Sequence, residues 1–398
     1  MRLRTLLRSS SAVVLAPLLA GLVVLLLRAD GTLHPVPGYG LSVLTAAHSA
    51  LPYIAAACAG SAAWEGGRLK QGRVFEQAPA RGRLGIALPV LAPVWLMGLG
   101  GYAVALVMAA VAADGTAPDL SRPPIPAVAA LLLLAATLTG YLAGLVLPRL
   151  AAGPVALVGA FWVMAFPASW QTPWPRHLVG NPITGCCGVG QAVAPDTLWA
   201  AGIFTAAACA AALLTAHRAT VGTAVTAVAV LALGTTLAAG FGQRMGYDGT
   251  VPRAAAELAC DASARPRVCL WPETPGRTAV VAQIRTETGR LGAAGVPVPA
   301  ALTQDPAGGP DTGVLGRTGE LSPEEVTRTT AAALLPAPLG CEQPAREPLL
   351  GWLTAVATGE PPSDARVRAV LEQPRAAQSE WFRAGRDSLT DCGRSGVR

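Results

Sequence analysis

Eight cysteines, four histidines and one lysine are the side chains of this 398-residue chain best suited to covalent or proton-transfer chemistry. The histidines are His34, His48, His177 and His217, and none follows residue 245. A Ser-His-acid triad, a Cys-His pair and a His-Glu-x-x-His zinc site are therefore excluded from the C-terminal part. Lys70 is the sole lysine, so a Ser-Lys dyad cannot form there, and no phosphate-binding loop ending in Gly-Lys exists anywhere. Cys58 and Cys209 sit inside apolar runs and read as small apolar fillers. The other thiols have neither a Cys-x-x-Cys spacing nor, after residue 245, a histidine beside them, which favours disulfides over metal. These residues imply no enzyme, no cofactor and no metal.

Disulfide chemistry is what remains. Local spacing makes Cys260–Cys269 the first candidate bridge and Cys341–Cys392 the second. Closing those loops would stabilise by roughly 3 and 4 kcal/mol. Cys186 and Cys187 are the candidates for a third pair, and three arrangements stay open for them: a bridge to the C-terminal domain, a bond to each other, or free thiols.

The elements that must position these groups are apolar helices. The chain is 52% hydrophobic and 14% charged, against about 25% charged in ordinary soluble proteins, and its mean hydropathy is +0.45. Apolar runs predict about seven spans, at residues 12–27, 41–64, 88–112, 127–147, 154–166, 198–216 and 220–241. The first ends without a small-x-small cleavage site and reads as an uncleaved span. Pro89 and Pro93 should kink or start the third. Gly140 and Gly144 form a GxxxG in the fourth, which permits close helix contact. His48, inside span two, reads as a packed histidine and not a proton relay. Trp170 and Trp174 mark an outer segment at interface depth.

Sidedness follows from residues 64–84, WEGGRLKQGRVFEQAPARGRL, between spans two and three. Arg68, Lys70, Arg73, Arg81 and Arg83 stand there against Glu65 and Glu76. Short loops this basic stay cytoplasmic. Glu65 should cap a helix or pair with Arg68. With this hairpin inside, Arg2, Arg4, Arg8, Arg149 and Arg218 are cytoplasmic as well, and only Arg28, Arg122 and Arg176 remain on short outer loops. An odd number of spans then gives an N-in, C-out chain, with residues 1–245 in the lipid bilayer and 246–398 as an extracytoplasmic domain. The six thiols outside the apolar runs all fall on that oxidising side. Residues 1–247 hold 14 Lys+Arg against 6 Asp+Glu, and residues 248–398 hold 16 against 18. The pI of 9.1 thus reports membrane anchors and implies no nucleic acid.

The expected fold is all-α: a polytopic helix bundle followed by a small, mostly helical, disulfide-stapled domain. In the tail, Thr274-Pro275 reads as a helix start, with Val280, Ile284, Thr288 and Leu291 at helical spacing. Ser322-Pro323-Glu324-Glu325 reads as a capping box. Residues 349–358, 365–373 and 375–389 complete the helices, 267–271 suggests one short strand, and 295–313 reads as a loop.

Several short motifs together carry a resemblance. Trp64-Glu65-x-x-Arg68 after span two, Ala78-Pro79-Ala80-Arg81 before span three, and a Cys-x8-Cys ending Val268-Cys269-Leu270-Trp271-Pro272-Glu273 resemble actinobacterial permease-like membrane proteins grouped with ABC-2-type transporters. The resemblance implies a partner, a separate cytoplasmic ABC ATPase, with a second copy or a related permease beside the chain in the membrane. Its coupling loop would be Trp64, Glu65, Arg68, Lys70, Arg73, Glu76, Arg81 and Arg83. A seventh span and a large outer domain depart from the usual six-span permease, so the rival expectation is a membrane-anchored binding or sensing protein.

Overall fold

The computed structural model describes residues 10–29, 35–77, 82–184, 186–218, 220–309, 311–316, 322–337 and 343–390. They pack as two compact units, Met1–Val251 and Pro252–Arg398.

The first unit is a helix bundle. Its helices are α1 (Ser11–Ala29), α2 (Gly40–Ala46), α3 (Leu51–Gln71), α4 (Val74–Gln77), α5 (Arg83–Ala112), α6 (Pro124–Val146), α7 (Arg149–Ala165), α8 (Trp174–Leu178), α9 (Asn181–Thr184), α10 (Pro195–His217) and α11 (Val221–Gly242). A 3-10 turn at Ala47–Ala50 joins α2 to α3 in one helical path. Among the described residues seven helical segments are long and apolar enough to cross a membrane. Six of the seven are longer than their apolar run, because helical geometry persists until a breaker rather than until a charge. Span two runs through Arg68 and Lys70 and stops at Gly72, and long cationic side chains tolerate this by carrying their charge to water. Pro89 and Pro93 lie inside α5, and Pro17 and Pro154 inside α1 and α7.

Span two is the most enclosed, with 72% of its apolar window buried, against 17% for the spans containing α7 and α11. That contrast makes α2–α3 the centre of the bundle and α7 and α11 its margin. Small residues allow the central position. A Cβ added to Gly140 or Gly144 of α6 would run into the backbone of Ala59 and Ala63 on α3, so the GxxxG faces a second small-residue pair at the same i, i+4 interval. Thr220 and Thr223 close a reciprocal capping box at the start of α11, a signal absent from the sequence reading.

Between spans five and six the chain folds into α8, α9 and a strand, β1 (Gln191–Val193), which forms a two-stranded sheet with β2 (Thr250–Pro252). This segment is tied to the start of span two. The Tyr39 hydroxyl donates to Gln191 O at 2.6 Å, and the Thr45 hydroxyl to Cys186 O at 2.6 Å.

The second unit is mostly helical and has the short strand expected at 267–271, but it adds further strands that the all-α class leaves out. It carries a four-stranded sheet in the order β3 (Ala259–Asp261), β4 (Arg267–Leu270), β5 (Ala301–Thr303) and β6 (Thr312–Val314). β3 and β4 are antiparallel, while β4–β5 and β5–β6 are parallel. Helices α12 (Arg277–Ala293), α13 (Pro323–Ala333), α14 (Arg346–Thr358), α15 (Ala365–Leu371) and α16 (Arg375–Ser388) complete it. β5 and the start of β6 fall on the stretch 295–313 that reads as a loop. Each is three residues long, too short to declare a period, and β5 is buried at every position, so it shows none of the alternation that marks a half-buried strand.

Val268, Leu270, Ile284, Leu302 and Val326 form one core between the sheet and α12–α13. Leu349, Trp352, Leu353 and Phe382 belong to a second, helical core, where Trp352 stacks on Phe382 at 5.3 Å. Thr274 does not start α12. Gly276, in the left-handed region at φ 60°, occupies the N-cap, and the Thr274 hydroxyl donates to Gln304 Oε1 at 3.2 Å. The Ser322 box is half formed: Ser322 Oγ accepts Glu325 N–H at 3.2 Å, while Glu325 pairs with Arg328.

Candidate functional site

The basic hairpin is built from the end of α3, the short helix α4 and the start of α5. Gly72 ends α3, and Arg73 turns the chain in the left-handed region at φ 47°. Residues 78–81, Arg81 included, lie outside the described residues.

Two faces of α3 diverge here. Trp64 turns toward α7, where the Arg149 guanidinium stacks on its ring at 4.5 Å and donates to Gln71 Oε1 at 3.0 Å. Lys70 Nζ lies 3.3 Å from Val146 O, a carbonyl left without an intrahelical donor at the end of α6. Glu65 turns the other way and is buried. Its Oε1 accepts Ser11 N–H at 2.8 Å and the Ser11 hydroxyl at 2.7 Å, and its Oε2 pairs with Arg68 at 3.0 Å. Arg83 stacks on Phe75 at 4.9 Å, joining α4 to α5. Arg73 and Glu76 are exposed. The structure therefore brings Trp64, Glu65, Arg68, Lys70 and Arg83 into one end of the bundle, and holds several of them on helix termini and rings. Arg149, Gln71 and Ser11 complete that end; the sequence reading put Arg149 on the hairpin's side without giving it a part in the loop, and it did not single out Gln71 or Ser11. The only signal for Arg149 was its isolation, as the one cation between spans four and five.

The cysteines separate clearly. Cys260 and Cys269 are direct cross-strand partners on β3 and β4, at an S–S distance of 2.03 Å. Cys186 and Cys187 are buried and stand at disulfide distance from each other. Cys341 and Cys392 lie outside the described residues. Cys58 and Cys209 are buried and free. No cluster of His, Cys, Asp and Glu able to hold a metal occurs among the described residues.

His48 is fully buried, its Nδ1 3.1 Å from both Leu44 O and the Tyr102 hydroxyl. His177, between spans five and six, bridges Thr197 Oγ1 at 3.2 Å and Gly246 O at 3.0 Å. Burial holds its imidazole below the ordinary histidine range, which keeps it neutral at pH 7.

In the second unit the Trp271-Pro272-Glu273 motif acquires a structural role. Glu273 binds Arg253 through two parallel contacts of 2.9 Å, Glu257 adds a third at 2.6 Å, and the guanidinium lies 4.8 Å from the Trp271 ring centre. A cleft of about 740 Å³ opens elsewhere in this unit, lined in part by Glu325, Arg328, Glu347, Glu360 and Asp364.

A family model described as a domain of unknown function (DUF7224) matches residues 268–392, within this second unit. No curated protein and no solved structure matches the chain.

Proposed function

We propose that this chain is a permease-like subunit of an ABC transport complex, powered by a separate ATPase that engages residues 64–83. In this reading the N-terminus is cytoplasmic and the second unit lies outside the cell membrane. The observation that carries it is the length of span two. Its helical path, Gly40–Gln71, has 32 residues, about 48 Å at roughly 1.5 Å per residue. The hydrocarbon core is about 30 Å thick. The last turns therefore project from the membrane, carrying Arg68 and Lys70, and α4 follows as a separate short helix with Arg73 exposed at the corner. Alternation of seven spans gathers Arg68, Lys70, Arg73, Arg83, Arg149 and Arg218 at one end, with Arg28, Arg122 and Arg176 at the other, which supports the same orientation.

Purification from its native membrane in mild detergent tests the reading. The wild-type chain is expected to retain an ATPase, and Arg73→Glu to lose it. A wild-type preparation without one overturns the proposal.

The cleft of about 740 Å³ in the second unit favours one rival, a membrane-anchored binding or sensing protein. That reading predicts that residues 246–398, expressed alone, fold and bind a ligand without the spans.

A further inference from the structure

Where α12, α14 and α16 meet, the second unit has a pocket of about 370 Å³, lined by Arg290, Ala293, Ala294, Val356, Arg375 and Gln378. It shares no lining residue with the larger cleft of that unit. Two of the six residues are cations and none is an acid. Neither arginine takes part in an ion pair among the described residues.

The neutral polar groups of the wall are already engaged. Gln378 Oε1 accepts Trp352 Nε1–H at 3.3 Å, and its Nε2 donates to Leu371 O at 3.0 Å and Gln373 O at 2.8 Å. Ala294 O accepts the Ser379 hydroxyl at 3.1 Å. Arg290 is fixed at the rim, its Nη1 donating to Ala357 O at 2.6 Å and Thr358 O at 3.2 Å, the last carbonyls of α14. Its Nη2 and Nε have no partner among the described residues, and the Arg375 guanidinium has none at all there. What the pocket offers is therefore positive charge. A cleft lined by one sign of charge concentrates the opposite ion.

We infer that this pocket binds the phosphate group of a small phosphorylated molecule, with the phosphate oxygens on Arg290 and Arg375. A phosphate monoester carries about −1.5 to −2 charges at pH 7, which matches two guanidinium groups, whereas a carboxylate matches one. The planar donor fork of arginine also suits phosphate oxygens. The volume lies within the range of small-molecule sites, roughly 300–1,000 Å³, so an organic body can follow the phosphate in. The site does not depend on the transport reading.

Isothermal titration of the full-length protein in nonionic detergent, at fixed ionic strength, tests the site with glycerol phosphate, glycerol and lactate as probes. Glycerol phosphate should bind saturably, glycerol should not bind, and lactate should bind at least about tenfold more weakly. Arg375→Gln and Arg290→Gln should each weaken glycerol phosphate about tenfold. Arg277→Gln, at the opposite end of α12, should leave it unchanged. Arg375→Gln is the decisive variant, because that guanidinium holds nothing else in place. Lowering the pH from about 7.5 to about 5 should weaken binding to the wild-type chain, since the ester takes up a proton near pH 6 and arginine does not titrate. Absence of saturable binding, equal affinity for lactate, or undiminished affinity in folded Arg375→Gln overturns the site. Short-chain phosphatidic acid separates the two sources of such a phosphate. Displacement of glycerol phosphate by it supports the site with a lipid headgroup as ligand, and failure to displace supports the site with a soluble ester.

Discussion

Glu65 fastens Ser11: one carboxylate oxygen, buried near the end of span two, accepts both the backbone N–H and the hydroxyl that open α1. An acid from one span thereby caps the first turn of another, where the unpaired N–H groups and the helix dipole both favour negative charge. Arg68 satisfies the other oxygen at 3.0 Å. The pair reading of Glu65 is correct in kind, but the cap is long-range, which no local spacing could reveal.

Glu65→Ala should therefore loosen α1 more than it disturbs the hairpin. Loss of the cap costs about 1–2 kcal/mol, and Glu65→Gln, which keeps a carbonyl acceptor for Ser11, should cost less. Thermal unfolding in detergent reports the ranking. Equal losses for the two variants would mean that the Arg68 pair, and not the cap, carries the effect.

Gly140→Val and Gly144→Val should be poorly tolerated, since their first side-chain atom would meet the Ala59 and Ala63 backbone. Separating α6 from α3 costs roughly 1–3 kcal/mol or more by overpacking. Gly159→Ala on α7 meets open space and should be neutral. The fraction recovered as a monodisperse peak on size exclusion distinguishes the two outcomes.

Cys260→Ser or Cys269→Ser should lower the denaturation midpoint of the second unit by the worth of a short closed loop, roughly 3 kcal/mol. The full chain treated with reductant should match the variant. A wild-type midpoint insensitive to reductant would show that the β3–β4 pairing holds without its bridge.

Acid should act on Asp261. The Ser263 backbone N–H, the Ser263 hydroxyl and Arg285 hold its carboxyl at about 2, below the ordinary 3.8. The folded form binds its proton later than the unfolded chain. Its contribution to stability is therefore complete above pH 3.8 and fades as pH falls through about 2. Asp261→Asn should flatten the pH dependence of unfolding in that window and leave stability near pH 7 lower by a constant amount.

The sequence showed the spans because apolar runs survive any detail of packing. It did not show β5 and β6, whose three residues each are too few to declare a period. Nor could it say what the GxxxG of α6 faces, since Ala59 and Ala63 are unremarkable in a chain so rich in alanine. The hairpin was legible as a basic loop, yet its chemistry depends on Arg149 and Val146, which enter from another loop some 75 residues later. Charge and hydropathy are local properties and can be read in order. The assembly of one bundle end from two loops is not.

The last test concerns Arg253, which is almost wholly withdrawn from water by Glu273 and the Trp271 ring, with side-chain exposures of 7% for Arg253 and 12% for Glu273. A buried guanidinium whose bidentate carboxylate is removed keeps its desolvation cost and loses its compensation, roughly 3–5 kcal/mol. Glu257 makes the third contact from a more exposed position, at 39%, where water can replace it. Glu273→Ala should therefore destabilise the second unit several times more than Glu257→Ala. Arg253→Met combined with Glu273→Leu should recover much of the loss, because removing both charges leaves nothing buried and unpaired. Chemical denaturation followed by Trp271 fluorescence measures all three. If the double variant were as unstable as Glu273→Ala, the two contacts would be fixing the backbone around Trp271 and not compensating a buried charge.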